Sequence, residues 1–217
     1  MSIQEEYRER YDKYLLLLAK ALEDHVKDNL KGMPRIDRVS ARAKTIKSFV
    51  GKAEKVVGGV KKYSDPINQI QDQIGVRIVT FYSDDVDAVA KVVEDYYRKI
   101  ESKYIVPESD SEFGYFGKHF ILLIPDDLID DGSDANKIPK FFELQVKTLF
   151  QHAWGEAEHD LGYKPGVELG SDVKRKIAFT AAQAWGADQI FNELHSAAND
   201  KAKDISTQVS IDVVDNE

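Results

Sequence analysis

The sequence predicts a domain of the α/β or α+β class, with a mixed, mainly antiparallel β-sheet flanked by helices. The chain has 217 residues, of which 42% are hydrophobic and 31% charged, and this composition is ordinary for a globular protein with a full core. Segments in which apolar residues alternate with a period of two are interspersed with segments of helical spacing. The predicted order is two helices, a strand, a helix, three strands and two helices.

The N-terminal quarter of the chain has helical patterns. Apolar residues recur at three- and four-residue steps over 2–30, which predicts an amphipathic helix that ends at Gly32 and Pro34. A second helix is predicted over 41–58, closed by a pair of glycines. At 100° per residue, three lysines and a serine of this helix fall on one face. They are Lys44, Ser48, Lys52 and Lys55. This face either binds phosphates or is an ordinary solvated helix side.

The middle of the chain alternates between strand and helix patterns. A short helix is expected to end near Gln73, and a strand rich in Val, Ile and aromatic residues follows. This strand is predicted over 75–82, and two further strands are predicted over 104–106 and 115–125. A helix is predicted over 85–100, and a long helix over 172–198 precedes a polar tail of about 20 residues.

A strand that runs into a helix is predicted over 141–164. Three apolar residues alternate with three polar ones in the strand, and the helix starts at Leu149. The polar residues are Glu143, Gln145 and Lys147. An acid, an amide and a base in a row on one face suit either a surface strand or a catalytic strand.

Charge and composition bound the function. The net charge is −8, yet the segment 35–62 holds nine basic residues and two acidic ones. Such a local concentration favours a compact polyanion such as a nucleotide phosphate over duplex nucleic acid, which the acidic remainder would repel. Cysteine is absent, which excludes disulfides, thiolate metal sites and a cysteine nucleophile. We expect a cytoplasmic protein without a signal peptide or a membrane span.

Two carboxylates are candidates for a magnesium site. Asp72 precedes one predicted strand and Glu143 lies on another, and paired carboxylates with retained waters suit Mg²⁺ and a phosphate substrate. Basic side chains could bind the remaining phosphate oxygens. They are Arg42, Lys44, Lys52 and Arg77. Asp72 could equally be an ordinary helix or turn residue, and Glu143 could be an exposed acid on a strand.

Other catalytic patterns have less support. His152, Glu156 and His159 share a helical face, but the two histidines are seven residues apart, whereas the zinc-binding His-Glu-x-x-His motif places them four apart. We therefore expect supporting histidines and no zinc site. The chain lacks G-x-S-x-G, Walker A and G-x-G-x-x-G motifs. The ring of Tyr115, in a turn between two glycines, could stack on a base or pack in the core.

Four motifs, taken together and in order, resemble the RelA/SpoT synthetase domain over residues 38–165. They are Arg42-Ala-Lys44 with Ser48 and Lys52, Asp72 with Gly75 and Arg77, Gly114-Tyr115 with His119, and Glu143-Leu-Gln145-Val-Lys147 followed by His152, Trp154, Glu158-His159 and Tyr163-Lys164. The resemblance, which is to the small alarmone synthetase kind, implies a nucleotidyltransferase-like synthetase fold. It divides the chain into an N-terminal helix (1–34), a synthetase domain without a hydrolase domain (35–168) and a C-terminal helix with a polar tail (169–217).

The resemblance also implies an activity, an ATP-dependent transfer of the β,γ-diphosphate of ATP to the 3′-hydroxyl of GDP or GTP, with Mg²⁺ as cofactor. Under this hypothesis ATP is bound by Arg42, Lys44, Ser48, Lys52 and Arg77, Mg²⁺ by Asp72 and Glu143, and the acceptor by Tyr115, His119, Gln145 and Lys147, with His152 and His159 as supporting residues. Glu143 is either the second metal ligand or the base that activates the hydroxyl. The family also suggests a homo-oligomer.

The segment before Tyr115 differs from the family pattern. It carries Glu108, Asp110 and Glu112 where many members have basic residues, and Lys147 replaces an arginine. Two alternatives therefore remain open. One is a toxin-type relative that modifies another nucleotide or the 3′ end of tRNA, although the net charge disfavours tRNA. The other is a relative that binds nucleotides without turnover.

Overall fold

Helices and strands alternate along the protein in a computed structural model that describes residues 2–105, 113–114, 117–130, 132, 134, 137–162 and 170–214, with only the backbone of 162 and 203–214. The helices are α1 (Ile3–Arg10), a π-helical turn (Tyr11–Leu15), α2 (Leu16–Asn29), α3 (Ile46–Ala53), α4 (Pro66–Gln69), α5 (Ser83–Tyr96), a 3₁₀ turn (Asp126–Leu128), α6 (Leu149–Gly162) and α7 (Ser171–Val214). The strands are β1 (Ile36–Ala43), β2 (Val56–Val57), β3 (Val60–Lys61), β4 (Ile74–Thr80), β5 (Lys99–Ile105), β6 (Gly117–Leu123) and β7 (Phe141–Thr148).

Five of the described strands form one sheet in the order β1-β4-β7-β6-β5. The pairs β1–β4, β7–β6 and β6–β5 are antiparallel, and the central pair β4–β7 is parallel. This confirms the predicted mixed, mainly antiparallel sheet flanked by helices. The parallel pair matters for the site because it places the start of β4 beside the start of β7.

One face of the sheet is buried against α2 and α5. Apolar side chains of β4, β6 and β7 alternate toward this face, and Val76, Phe120 and Leu144 are at most 1% exposed. On the opposite face, the ends of β4 and β7 are also buried, because α6 lies over them. The starts of these two strands stay partly accessible, which leaves room for a binding site.

The predicted N-terminal helix over 2–30 is confirmed, with a π-helical turn between α1 and α2. Ser2 and Glu5 form a capping box that satisfies backbone N–H groups at the start of α1. Tyr7, Leu15 and Leu22 are fully buried, so the helical spacing does mark the face that packs on the core.

The predicted helix over 41–58 is wrong at both ends, because β1 covers its start and β2 begins at Val56. Residues Ile36–Ala43 form β1, which pairs with β4 from Ile36 to Ala43, and the helix spans only Ile46–Ala53. The outward side of β1 carries polar and basic residues, so its local sequence lacks a strong strand pattern. Pairing with β4 therefore determines that this segment forms a strand. Thr45 starts α3, because its side chain accepts a hydrogen bond from the backbone N–H of Ser48 at 3.2 Å.

Several other boundaries differ from the predictions. α4 ends at Gln69, four residues before the expected end near Gln73. α5 ends at Tyr96, which is before residue 100, and β5 begins at Lys99, which is before residue 104. α7 continues to Val214 past the predicted end near residue 198, so most of the expected polar tail is helical. Among the described helices, none combines the length and apolar character needed to span a membrane.

Candidate active site

Polar side chains form two rows across the accessible sheet face. In the first row, Arg42 on β1 lies beside Gly75 on β4, which lies beside Glu143 on β7. In the second row, Arg77 lies beside Gln145, which lies beside His119 on β6. In-register neighbours point to the same face of a sheet, so the residues of four separate sequence motifs converge there.

Asp72 is bound by two lysines at the edge of this face. Lys44 Nζ and Lys52 Nζ lie 2.9 Å and 2.8 Å from the same oxygen, Asp72 Oδ2. Burial raises the pKa of Asp72, but the hydrogen bonds from Lys52 and Lys44 lower it more, so the net pKa lies below its ordinary value. Asp72 is therefore ionised at neutral pH, with two cations beside it.

Local backbone structure places these lysines. The backbone N–H of Lys44 donates to the carbonyl of Gln73 at 2.8 Å, which extends the pairing of β1 and β4 by one residue. Lys52 then lies at the end of α3, close enough to share Asp72 with Lys44. Lys44 precedes α3 and Lys52 lies within it, so the two lysines approach the carboxylate of Asp72 from different elements.

Glu143 is held by two neighbours on the sheet. His119 Nδ1 lies 3.1 Å from Glu143 Oε1, and Gln145 Nε2 donates to Glu143 Oε2 at 3.0 Å. Burial raises the pKa of Glu143, whereas the hydrogen bond and charge of His119 lower it, and the net pKa is lowered. The carboxylate is thus ionised and oriented at neutral pH.

Two cavities meet at Glu143. The arginine cavity has a volume of about 230 Å³ and is lined by Ser40, Ala41, Arg42, Gly75, Val76, Arg77, Glu143 and Gln145. The lysine cavity has a volume of about 580 Å³ and is lined by Arg42, Ala43, Lys44, Thr45, Ser48, Gly51, Lys52, Lys55, Asp72, Gly75, Glu143 and His159. Arg42, Gly75 and Glu143 line both cavities, so Glu143 borders a pocket between guanidinium groups and a pocket rich in ammonium groups.

Gly75 keeps the space between the cavities open. A Cβ atom built at this position meets no heavy atom within 4 Å, and the backbone of Gly75 does not have a left-handed conformation. The absence of a side chain at Gly75 therefore leaves space in the cavities and is not required by the backbone conformation.

Arg77 is held by α6. Its Nη1 lies 3.3 Å from His152 Nδ1 and also forms an ion pair with Glu156. Burial and the charge of Arg77 lower the pKa of His152, which favours a neutral imidazole beside the guanidinium. This contact explains why His152 and Glu156 share one helical face.

Lys147 lies farther along β7, in register with Val79, and is only 3% exposed. Burial, and to a lesser extent the charge of Arg77, lower the pKa of Lys147 to about 7. Lys147 lines neither cavity, unlike Gln145.

The residues present fit a Mg²⁺ ion. Asp72 and Glu143 both line the lysine cavity, and the charge of Asp72 raises the pKa of Glu143, so the two carboxylates interact. Asp72 Oδ1 is buried and has no hydrogen-bond partner among the described residues. Mg²⁺ commonly uses one or two carboxylates together with waters and substrate phosphates, so a cluster of three protein ligands, which the described residues lack, is unnecessary.

The described structure brings most of the predicted site residues together. The predicted ATP and metal residues line one or both cavities, and of the predicted acceptor residues Gln145 lines a cavity and His119 contacts Glu143. His152 contacts Arg77, and His159 lines the lysine cavity. Tyr115, the acidic segment 108–112, Tyr163 and Lys164 lie outside the described residues.

Sequence reasoning assigned no role to several residues of the site. Glu156 had been noticed only for its position on a helical face with His152, and its pairing with Arg77 spans 79 residues. Thr45 lines the lysine cavity, and the basic segment that contains it was the available signal. The open space beside Gly75 had a weaker signal in the sequence, which was a single glycine within a strand pattern.

This chain is similar to known proteins over most of its length. The sequence model of a region found in RelA and SpoT proteins matches residues 41–168. GTP pyrophosphokinase YjbM of Bacillus subtilis is 24% identical over 201 residues, which cover 85% of this chain and 88% of that protein. The crystal structure of small alarmone synthetase 1 from B. subtilis has a TM-score of 0.70 at 21% identity, covering 90% of this chain and 97% of that one. A GTP pyrophosphokinase family protein from Streptococcus pneumoniae has a TM-score of 0.70 at 22% identity, covering 93% and 97%.

Proposed function

This chain belongs to the RelA/SpoT family, and from that premise we propose that it is a GTP diphosphokinase that makes the alarmone (p)ppGpp. It transfers the β,γ-diphosphate of ATP to the 3′-hydroxyl of GDP or GTP. The name of the B. subtilis relative, GTP pyrophosphokinase, supports this reaction, and so does a solved structure of the B. subtilis small alarmone synthetase 1 bound to its product pppGpp, which has a TM-score of 0.68.

ATP binds across the two cavities in this proposal. Arg42 and Arg77 border the arginine cavity, where planar guanidinium groups suit stacking on the adenine ring. Lys44, Ser48 and Lys52 line the lysine cavity, where ammonium and hydroxyl groups suit the triphosphate. The reacting phosphates of ATP then lie on the same side of the site as Asp72. Glu143 lies between the adenine ring and these phosphates.

Mg²⁺ would be held by Asp72 and Glu143, and when bound it supplies positive charge that stabilises the phosphate oxygens of the transition state. The orphaned Asp72 Oδ1 supports this assignment. Lys44 and Lys52 keep Asp72 ionised and contribute charge of their own on the same side of the cavity.

The transfer forms a bond between the acceptor 3′-oxygen and the β-phosphorus of ATP and breaks the bond between that phosphorus and the oxygen of the α-phosphate. AMP is the leaving group. The proton of the 3′-hydroxyl passes to Glu143, whose carboxylate is ionised at neutral pH and is oriented by His119 and Gln145. The acceptor therefore approaches from the β6 and β7 side of Glu143, where His119 and Gln145 are its proposed contacts. Tyr115 stays a predicted acceptor contact from the sequence motif.

The meeting of the two cavities at Glu143 is the observation that carries this proposal. The experiment is to incubate the protein with ATP labelled at the γ-phosphate and, separately, GDP, GTP, other adenine nucleotides and tRNA. We expect label in the guanine nucleotides, together with AMP. Label in tRNA or adenine nucleotides alone would identify a toxin-type acceptor, and ATP binding without any transfer would identify a non-catalytic relative.

We further propose that the synthetase domain spans 35–168 and that the flanking segments 1–34 and 169–217 support it. Among the described residues, α7 exposes large apolar side chains, for example Phe179 at 64% and Leu194 at 59%. Burial of these side chains in a homo-oligomer stays a prediction, which light scattering in solution can test. The cytoplasmic location also stays a prediction.

A further inference from the structure

The N-terminal helix α1 contacts the donor side of the proposed site although it lies before residues 41–168, which the family model matches. Tyr7 and Arg10 are three residues apart and therefore share a face of α1. Tyr7 is fully buried and Arg10 is 4% exposed. A buried arginine on an otherwise polar surface helix is unusual, and its contacts explain its position.

Tyr7 contacts both the strand end and the helix that carry the lysines. Its hydroxyl donates to the backbone carbonyl of Lys44 at 2.7 Å. Its ring stacks on Phe49 of α3, with ring centroids 3.6 Å apart. Burial raises the pKa of Tyr7, and the charge of Asp72 raises it further, so the hydroxyl remains a donor and lies within the field of Asp72.

Arg10 contacts the segment that carries Asp72. Its Nη1 donates to the carbonyl of Ile67 at 2.9 Å and to Gln73 Oε1 at 3.2 Å. Gln73 is itself 1% exposed, and its amide donates to the carbonyls of Ile67 and Ile70. Arg10 and Gln73 thus satisfy the backbone of the turn before β4, where Asp72 lies.

The two contacts converge on one backbone segment. The N–H of Lys44 donates to the carbonyl of Gln73, while the carbonyl of Lys44 accepts from Tyr7. The backbone of Lys44 is therefore fixed on both sides, once by α1 directly and once by the turn that Arg10 stabilises. The ammonium group of Lys44 and the carboxylate of Asp72, 2.9 Å apart, extend from this fixed segment.

We propose that Tyr7 and Arg10 are positioning residues for the donor site, which set the Lys44–Asp72 pair for the triphosphate and its Mg²⁺. This inference rests on the proposed function, because the pair has this role only if ATP is the donor. It gives α1 a part in catalysis beyond covering the core. A change in how α1 packs would act on ATP binding and leave the acceptor side unchanged.

The Tyr7→Phe variant tests this inference, because it keeps the stacking on Phe49 and removes only the hydroxyl. The matched control is Tyr97→Phe. Tyr97 is 5% exposed, and its hydroxyl contacts His25 and Asn29 of α2, away from both cavities. Each variant loses one buried tyrosine hydroxyl with protein partners, so both are expected to lower the melting temperature.

We expect Tyr7→Phe to raise the KM for ATP by about fivefold, which corresponds to the energy of one hydrogen bond passed on in full through Lys44 to ATP binding. The KM for the acceptor should change by less than about twofold. Tyr97→Phe should change neither KM. A second variant, Arg10→Lys, keeps a cation and loses the guanidinium geometry, and it should shift the KM for ATP in the same direction.

Equal shifts in both KM values, or equal effects of Tyr7→Phe and Tyr97→Phe on the KM for ATP, would overturn the inference. A binding measurement keeps this test separate from the proposed function. Calorimetry with a non-hydrolysable ATP analogue and Mg²⁺ should show an increase of about fivefold in Kd for Tyr7→Phe and no increase for the control Tyr97→Phe. If the wild-type protein bound the analogue without transferring diphosphate, the proposed function would fail, while the Kd ratio would still decide the role of Tyr7.

Discussion

Gly75 on β4 lies directly beside Glu143 on β7, and a side chain at position 75 would extend into the open space that both cavities share. The catalytic carboxylate of the proposed reaction thus has a neighbour with no side chain. The parallel pairing of β4 and β7 fixes this relationship, because a shift of register by one residue would replace Gly75 by a side chain of the opposite face.

Filling this gap is expected to weaken ATP binding without harming the fold. Gly75→Ala adds a Cβ atom that meets no heavy atom within 4 Å, and Gly75→Val adds a larger side chain at a strand position where a β-branched residue is favourable. We expect a melting temperature equal to or above that of the wild-type protein, with ATP affinity reduced at least about tenfold for Gly75→Val, measured by calorimetry. Gly186→Ala on α7 is the control, since its added Cβ also meets nothing. Undiminished ATP affinity in Gly75→Val would show that ATP binds elsewhere.

Asp72→Asn tests the metal site. The substitution removes the negative charge beside Lys44 and Lys52 and replaces one carboxylate oxygen by an amide nitrogen, which cannot bind a cation. The Mg²⁺ concentration that gives half the maximal rate should rise about tenfold or more. Rates measured over a Mg²⁺ titration give this value, with Asp95→Asn at an exposed position of α5 as the control. An unchanged Mg²⁺ requirement would remove Asp72 from the site.

The pairing of Arg77 with Glu156 predicts a smaller effect on ATP. Glu156→Gln leaves Arg77 in place and weakens the contact that holds its guanidinium. Because the Glu156 side chain is 53% exposed, the ion pair is partly screened, and we expect the KM for ATP to rise by only about two- to fivefold. Asp160→Asn removes the same charge from an exposed position of α6 and should have no effect. A rise in the KM for the acceptor alone would contradict the assignment of Arg77 to ATP.

Lys147 predicts a pH dependence of stability. Its pKa is lowered from 10.5 in the unfolded chain to about 7 in the folded protein, so between these values the unfolded state binds more protons. The free energy of unfolding should therefore rise between pH 7 and pH 9, by roughly 2 kcal/mol from this group. Urea unfolding at the two pH values should show this rise in the wild-type protein and a smaller one in Lys147→Met.

The exposed Lys140 provides the control for this measurement, because Lys140→Met removes the same group without the burial. Its pH dependence should match that of the wild-type protein. If Lys147→Met and the wild-type protein gained the same stability between pH 7 and pH 9, Lys147 would be protonated throughout this range, and burial would not have lowered its pKa.

The strand of Glu143 could be predicted from the sequence because its pattern is local. Alternating apolar residues from Phe142 to Val146 pack on the buried face, and this is visible without knowledge of the partner strands. The long helical patterns were predictable for the same reason. Helix ends were less predictable, as α7 shows by continuing to Val214.

Strand β1 could not be predicted, because its formation depends on a partner about 40 residues away. It lies at the edge of the sheet, and the basic residues that follow it suggest a helix that would bring four side chains to one face. The structure brings the same four side chains, those of Lys44, Ser48, Lys52 and Lys55, to one cavity by a different route, since α3 spans only Ile46–Ala53. The site residues were identifiable from motifs, whereas their ion-pair partners depend on the tertiary fold.

The measurement that tests the central claim most directly counts both products of the reaction in wild-type and Glu143→Gln protein. With ATP, Mg²⁺ and GDP or GTP, we expect the wild-type protein to release one AMP for each guanine nucleotide that gains two phosphates. Glu143→Gln should reduce this rate by about 10³-fold or more, since it removes the base and weakens the metal site, while ATP-analogue binding changes only a few-fold. Glu101→Gln, an exposed carboxylate on β5, should keep the wild-type rate. Release of ADP in place of AMP, or a wild-type rate in Glu143→Gln, would contradict the proposed function.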